Sequence, residues 1–317
     1  MIACMPRRIV LVGNAGIGKS YLQLVILLWW ARPQLRPDGS LDKFFDKIAV
    51  IARVERDNRT DLFFKRDQLH YKMNHLGRLP DLSDLDFKAA LLLYEPYLSK
   101  NEIHPCGILD GRVWATVPPS PTRYHEFSKT DCAVKYMDCA NEEELVFMAA
   151  VQKQGMDYNS PLKELYNSAF VRERIRTFGP FQRVVLPTSI DALAIETKNK
   201  ADELDNLTLE KAFKARKIAE SSSADGLTIS HHILRISPTM NDEFRTYTLK
   251  PASDHVMEKL RYLVLKTDAL ELKRLLAIYN QSSTNVARQS IPKLLEEFFV
   301  WRDNRTDVSQ CKHLEKW

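Results

Sequence analysis

The fold is decided by the stretch RIVLVGNAGIGKS at residues 8–20. Its first part, residues 8–12, is a continuous apolar run rich in β-branched side chains, which is typical of a buried parallel strand. Its second part has the spacing G-x-x-x-x-G-K-S/T, and the apolar run at residues 21–31 predicts a helix packed on the sheet. A loop between such a strand and helix directs backbone N–H groups toward phosphate oxygens.

This loop predicts a site for the phosphates of ATP together with Mg²⁺, and GTP stays open because no local signature reads the base. Gly13 and Gly18 allow backbone conformations that a side chain obstructs. Lys19 is expected to reach the β- and γ-phosphate oxygens, and Ser20 to place its hydroxyl on Mg²⁺. The expected nucleotide-binding residues are Gly13, Asn14, Ala15, Gly16, Ile17, Gly18, Lys19, Ser20 and Tyr21.

A P-loop site also needs a carboxylate at the end of a neighbouring strand, to hold the metal or the attacking water. Glu95 is the best-placed candidate because it follows the apolar run at residues 91–94. It is predicted to serve as a metal ligand and as a catalytic residue. Asp110 ranks second, since only two apolar residues precede it.

Two arginines flank the segment FGP at residues 178–180. A guanidinium group suits phosphate oxygens, so Arg183 is predicted to act in catalysis from a helical lid. Arg174 is better explained as part of a solvated helix face. The subunit from which Arg183 would act stays open, because the sequence does not reveal the oligomeric state.

Four further polar residues are weaker candidates. Thr116 and Ser120 follow or end a predicted strand and are expected either to sense the γ-phosphate or to belong to an ordinary loop. His231 and His232 are predicted to point to opposite faces of a strand, with a structural role. No Cys or acidic residue stands near them at a metal-like spacing.

Strands alternate with helical stretches in residues 1–140, which predicts an α/β P-loop core with a mainly parallel sheet flanked by helices. A polar turn at residues 56–61 predicts a hairpin. Beyond the first strand, strands are expected at residues 47–54, 62–64, 91–96, 112–117 and 133–137.

At residue 141 the pattern changes from alternating strands and helices to mainly helical stretches. Residues 141–222 are predicted to form a helical lid, with helices at residues 141–154, 162–177 and 204–219, and the linker candidate is at residues 221–226. Residues 227–317 are expected to form a small α/β or winged-helix-like region. It would contain a strand pair at residues 227–236 and 244–250 and helices at residues 255–265, 269–279 and 291–301.

Composition bounds the class of protein. The chain has 317 residues, 46 of them basic and 41 acidic, so nucleic-acid binding is permitted but not indicated. Its five cysteines, an odd number without a CxxC pair, predict reduced thiols in an intracellular protein. The apolar run behind the loop is too short to cross a bilayer, and no secretory leader is expected.

The order of segments resembles the ATPase module of Crinkler effectors and of retrotransposon hot spot proteins. The resemblance rests on the P-loop, the LYE ending at Glu95, the SP at residues 120–121, the FSK at residues 127–129 and YMD leading into EEEL at residues 136–145. It continues through FGPFQRVVL at residues 178–186 and covers most of residues 7–300.

The resemblance implies an ATPase module that is coupled in the family to an effector domain and, in secreted members, to a translocation module. This chain is expected to hold the motor or switch part alone, with delivery to a host cell or host nucleus as a family-level expectation. It departs from the family pattern at Ala15, where proline is usual, at Glu95, where aspartate is more frequent, and at Pro180, where the family has a second glycine. These departures bear more on hydrolysis than on binding.

Three functions are compatible with these residues. The leading one is Mg²⁺-dependent hydrolysis, with ATP as the expected nucleotide, that drives a conformational switch in the lid. The alternative is a non-hydrolysing nucleotide-dependent switch that binds a protein or nucleic-acid partner. A small-molecule kinase ranks last, because no compact acceptor signature is visible.

Overall fold

A computed structural model describes residues 8–37, 39–54, 59–64, 70–74, 89–95, 112–119, 132–212, 232–240, 243–268, 270, 271 and 274. The chain divides into two compact units. Unit 1 comprises residues 1–141, 181–183 and 236–247, and unit 2 comprises residues 142–180, 184–235 and 248–317. Two short segments from the second half of the chain therefore belong to unit 1.

Unit 1 is built on a seven-stranded sheet. Its strands are β1 (Arg8–Gly13), β2 (Val50–Val54), β3 (Arg59–Phe64), β4 (His70–Asn74), β5 (Ala90–Tyr94), β6 (Arg112–Val117) and β7 (Cys132–Met137). Their order is β4-β3-β2-β5-β6-β1-β7. The five strands from β2 to β7 in that order are parallel, and β3 and β4 add an antiparallel edge. The predicted mainly parallel α/β architecture is confirmed.

The helix behind the loop packs on this sheet through its apolar side chains. Helix α1 (Lys19–Ala31) buries Ile26 and Trp30 against a core that includes Phe45 of the short helix α2 (Asp42–Phe45). The Trp30 indole N–H donates to the Ile48 carbonyl at 2.9 Å. This packing fixes the N-terminus of α1 at the edge where the parallel strands end.

The sheet differs from the sequence prediction at its antiparallel edge. The hairpin of β2 and β3 is confirmed, but β3 already begins at Arg59, inside the stretch predicted as a turn. Strand β4 was not predicted at all. An edge hairpin tolerates polar residues on its open face, so neither strand has the continuous apolar run that marks a buried parallel strand.

Unit 2 is mainly helical. It contains α3 (Glu142–Gln154), α4 (Ser168–Phe178), α6 (Ile190–Asp205), α7 (Asp254–Lys266) and the second half of α5 (Gln182–Val185). A 3-10 turn (Glu164–Tyr166) precedes α4, so the helix predicted from residue 162 begins later. The helix predicted at residues 204–219 is wrong at its start, because α6 ends there and Asn206 follows as its C-cap.

The strand pair of the second half is confirmed with shorter bounds. Strands β8 (Leu234–Pro238) and β9 (Tyr247–Pro251) pair with each other, and the boundary between the two units falls within them. His232 lies in a turn before β8, so its placement within a strand is corrected. Asp110, Ser120, His231, the linker candidate and the helices predicted at residues 269–279 and 291–301 lie wholly or mostly outside the described residues.

No helix in the described ranges is long and apolar enough to cross a membrane. Within those ranges, Cys132 and Cys139 are not joined in a disulfide.

Candidate functional site

The predicted phosphate loop, residues 13–20, connects β1 to α1 and turns at two glycines with left-handed backbone. Gly16 has φ 75° and Gly18 has φ 90°, a conformation that residues with a Cβ rarely adopt. At Gly13 a Cβ would lie 2.7 Å from Ile17 Cδ1 and 3.3 Å from Lys19 Cδ. The three glycines therefore let the loop fold tightly over its own lysine.

Lys19 is held inside the loop. Its side chain is buried, and Nζ donates to the carbonyl oxygens of Gly13 at 2.8 Å and of Asn14 at 2.5 Å. A phosphate oxygen is also an acceptor, so it could replace these carbonyl oxygens as the partner of the ammonium group. Both hydrogen bonds hold the ammonium group against the backbone of the loop.

Ser20 and Glu95 lie together although they are 75 residues apart. The Ser20 hydroxyl at the start of α1 donates to Glu95 Oε2 at 2.8 Å, directly beyond the end of β5. Glu95 is only 8% exposed. Strand β6 lies between β1 and β5, so the first turn of α1 must bridge one strand to bring the hydroxyl to this carboxylate.

Asn14 anchors the loop to the segment at residues 236–247. Its Oδ1 accepts from the Ile236 N–H at 2.9 Å, and its Nδ2 donates to the Ile236 carbonyl at 3.0 Å. The side chain is 1% exposed. Asn14 was predicted as a nucleotide-binding residue, and the structure commits its side chain to this backbone. Tyr21, the last residue of that predicted set, is 67% exposed on α1.

Arg183 reaches the loop from the segment at residues 181–183. Its backbone N–H donates to the Gly16 carbonyl at 3.0 Å, and its side chain is exposed. A Cβ at Gly16 would meet Arg183 Cβ at 3.0 Å and Nε at 3.8 Å. The structure thus places Arg183 beside the phosphate loop of its own chain, a proximity that sequence spacing alone does not reveal.

A buried polar chain connects α1 to two strands beneath the loop. Arg53 Nε donates to Gln23 Oε1 at 3.4 Å, and Gln23 Nε2 donates to the Thr116 hydroxyl at 2.9 Å. Thr116, a sensor candidate, is 4% exposed and engaged in this chain. The roles of Gln23 and Arg53 were not predicted, because a single glutamine in an apolar helix and an arginine in a strand carry no motif.

Arg174 is not part of a solvated face, and that prediction is corrected. It is 7% exposed in unit 2 and donates to the carbonyls of Val185, at 3.0 Å, and Leu165. Burial lowers the pKa of Arg174. Its guanidinium group ties two backbone segments together, which is a structural role.

Unit 2 also holds a buried lysine and a histidine between carboxylates. Lys200 donates to Ser253 Oγ at 3.1 Å, and burial lowers its pKa from 10.5 to about 8. His232 Nε2 lies 3.8 Å from Glu196 and 3.9 Å from Glu203, acidic neighbours that sequence spacing had not indicated. Within the described ranges, no group of three or more His, Cys, Asp or Glu side chains is placed to hold a metal ion.

The chemistry of the site therefore rests on the loop glycines, on Lys19, on the Ser20–Glu95 pair and on Arg183. These groups supply backbone donors, two cations, one hydroxyl and one carboxylate within unit 1. Comparisons of the chain with protein-family models, with curated proteins and with solved structures give no match.

Proposed function

We propose that unit 1 binds ATP with Mg²⁺ in the phosphate loop and hydrolyses it. The observation that carries this proposal is the 2.8 Å hydrogen bond between Ser20 and Glu95 at the start of α1. It sets two oxygen ligands of the kind that Mg²⁺ prefers beside a loop with the P-loop spacing. GTP is the alternative nucleotide, because none of the contacts described above reads a base.

Ser20 and Glu95 fit a Mg²⁺ ion whose other ligands are nucleotide phosphates and water. Mg²⁺ in phosphate-transfer sites is usually held by one or two protein oxygens, by substrate phosphates and by water. Ser20 and Glu95 supply such a pair, and a larger cage of ligands is not needed. When bound, Mg²⁺ would neutralise charge on the phosphate oxygens.

The protein groups would act mainly by position and charge. Lys19 would exchange its two carbonyl acceptors for phosphate oxygens, so its ammonium group keeps hydrogen bonds in both states. Arg183 would add a second positive charge beside Gly16, where charge develops on the transferred group. Glu95 would orient the attacking water and accept its proton.

The connection between loop and lid supports a switch. Residues 181–183 belong to unit 1, while the residues on both sides of them belong to unit 2. A displacement of the Gly16 backbone would therefore move Arg183, which is directly followed in sequence by residues of unit 2. We propose that the helices in residues 141–222 respond in this way to the γ-phosphate.

A non-hydrolysing switch is the second candidate, and one observation favours it. Glu95 is a buried glutamate whose Oε2 already accepts from Ser20. An oxygen that stays with Ser20 is not available to activate a water. Such a protein would bind nucleotide to control its contact with a protein or nucleic-acid partner.

The test measures phosphate release from ATP and from GTP with Mg²⁺. Lys19→Ala should lower the rate at least about a hundredfold, because removal of one preorganised donor to the reacting charge costs that much in comparable sites. Glu95→Gln keeps the shape of the side chain and should abolish release while nucleotide still binds. Lys198→Ala on the exposed face of α6 is the matched control and should leave the rate unchanged. Binding without phosphate release by the unmodified chain would replace hydrolysis by the switch, and a phosphorylated acceptor would indicate a kinase.

A further inference from the structure

The segment at residues 181–183 forms a wall against the phosphate loop. Phe181 is 2% exposed, and Val184 and Val185 directly after the segment are also buried, so the backbone is anchored on both sides. The Arg183 N–H donates to the Gly16 carbonyl at 3.0 Å. The backbone at Arg183 is therefore held to the loop at Gly16.

Gln182 lies against the second left-handed glycine of the loop. A Cβ at Gly18 would lie 2.5 Å from Gln182 Oε1 and 3.7 Å from its Cδ. Gly18 immediately precedes Lys19 and caps the N-terminus of α1, which is the end of the helix that attracts anions. The carboxamide of Gln182 thus stands where the loop is expected to receive phosphate oxygens.

We propose that Gln182 is a phosphate-contacting residue of the nucleotide site, in addition to the residues of the loop and to Arg183. This inference rests on the proposed nucleotide binding. A carboxamide has an acceptor and two donors on one carbon, and a rotation about its last side-chain bond exchanges them. Gln182 would rest its oxygen near Gly18 in the nucleotide-free loop and turn its NH₂ group to a phosphate oxygen of a nucleoside di- or triphosphate.

The amide separates this role from simple packing. Glutamate has nearly the shape of glutamine but places a negative charge next to the phosphates, so Gln182→Glu should weaken binding by repulsion in either case. If Gln182 only packs on Gly18, Gln182→Met, which keeps the length of the side chain without the amide, should bind nucleotide as the unmodified chain does. If it donates to a phosphate, Gln182→Glu should bind more weakly than Gln182→Ala, because repulsion is added to the lost hydrogen bond.

The experiment measures the affinity of the full chain for Mg²⁺–ADP and for Mg²⁺ with a non-hydrolysable ATP analogue by calorimetry. Gln182→Ala should weaken both about tenfold, which is the loss expected for one hydrogen bond to a charged group. Gln182→Glu should weaken both further, and Gln182→Met tests the loss of the amide at similar side-chain length. Gln152→Ala and Gln152→Glu on the exposed face of α3 are the controls and should bind normally.

The outcomes separate this inference from the proposed function. An unmodified chain that binds neither nucleotide refutes the nucleotide site itself, and with it the role of Gln182. An unmodified chain that binds, with Gln182→Met at the same affinity, overturns the role of Gln182 alone. Thermal melting without nucleotide checks that each variant is folded. If one variant is not folded, the comparison of the remaining variants decides.

Discussion

The free energy of unfolding of unit 2 should rise as the pH increases from about 8 to about 10.5. The reason is Lys200, whose buried amino group has a lowered pKa in the folded chain. The side chain is 2% exposed and donates to Ser253 Oγ at 3.1 Å and to the His232 carbonyl at 3.4 Å. Burial lowers its pKa to about 8, against a smaller opposing effect of Glu203. The folded chain therefore releases this proton at a lower pH than the unfolded chain does.

The sign and size follow from the difference in bound protons. Between the two pKa values, about 8 when folded and 10.5 for an ordinary lysine, the unfolded chain holds more protons, so raising the pH favours the folded chain. A displacement of about 2.5 pKa units corresponds to about 3 kcal/mol in total. Between about pH 7.5 and about pH 10, the gain in the free energy of unfolding should be about 2 kcal/mol.

Urea denaturation of the full chain and of Lys200→Met at these two pH values provides the measurement. Other groups titrate in the same range, so the quantity to compare is the difference between the two chains. The unmodified chain should gain about 2 kcal/mol relative to Lys200→Met as the pH rises. Lys198→Met, on the same helix and exposed, should track the unmodified chain. If the free energies of unfolding of the unmodified chain and of Lys200→Met differ by the same amount at both pH values, the lowered pKa of Lys200 is refuted.

Three further changes test other contacts of the described residues. Asn14→Ala removes both hydrogen bonds to Ile236 and should cost about 2 kcal/mol of stability by urea denaturation. Asn14→Asp keeps the acceptor but buries a carboxylate against the Ile236 carbonyl, so it should cost at least as much. Arg174→Met leaves the carbonyls of Val185 and Leu165 without this donor and should also cost about 2 kcal/mol or more, while Arg172→Met on the exposed side of α4 should cost under about 1 kcal/mol. Gly16→Ala places a Cβ on a left-handed backbone, 3.0 Å from Arg183 Cβ, so it should lower the melting temperature and weaken nucleotide binding. At Gly39 a Cβ meets only Asp42 Oδ2 at 3.4 Å, so Gly39→Ala is the control. Equal effects of the two substitutions would contradict the steric explanation.

The parallel strands were predictable because they consist mostly of consecutive apolar residues. Strands β1, β5 and β6 are short apolar runs with polar residues or glycine beyond them, and β6 has the predicted bounds. Helices α3 and α7 begin with acidic residues in the first turn, which marks a helix start independently of the tertiary fold. Local signals of this kind need no knowledge of what the element packs against.

Other elements were missed because their signals depend on tertiary contacts. Helix α6 has the composition of a charged surface helix, and nothing local shows that Lys200 is buried. Arg174 likewise occupies a helix with several charged residues, where a solvated guanidinium is the ordinary expectation. Long polar side chains can be buried where backbone carbonyls accept their hydrogen bonds, and those carbonyls come from residues distant in sequence.

The same limit applies to the candidate site, where the loop is local but its surroundings are not. The spacing from Gly13 to Ser20 predicts a phosphate loop, and the structure places a turn with two left-handed glycines between β1 and α1 at these residues, with Glu95 beside Ser20. The structure adds two segments from the second half of the chain, which touch the loop at different residues: Arg183 at Gly16 and Ile236 at Asn14.

These two contacts are the ones that test the proposed switch. Each segment that touches the loop is continuous in sequence with residues of unit 2. Under the proposed function, a phosphate that repositions Gly16 would move the Arg183 backbone or break its hydrogen bond, and the Asn14 side chain holds Ile236 of β8 to the loop by two hydrogen bonds. Loss of nucleotide coupling in Asn14→Ala, with phosphate release retained, would therefore assign the switch to the anchor at Ile236 and the chemistry to the remaining loop.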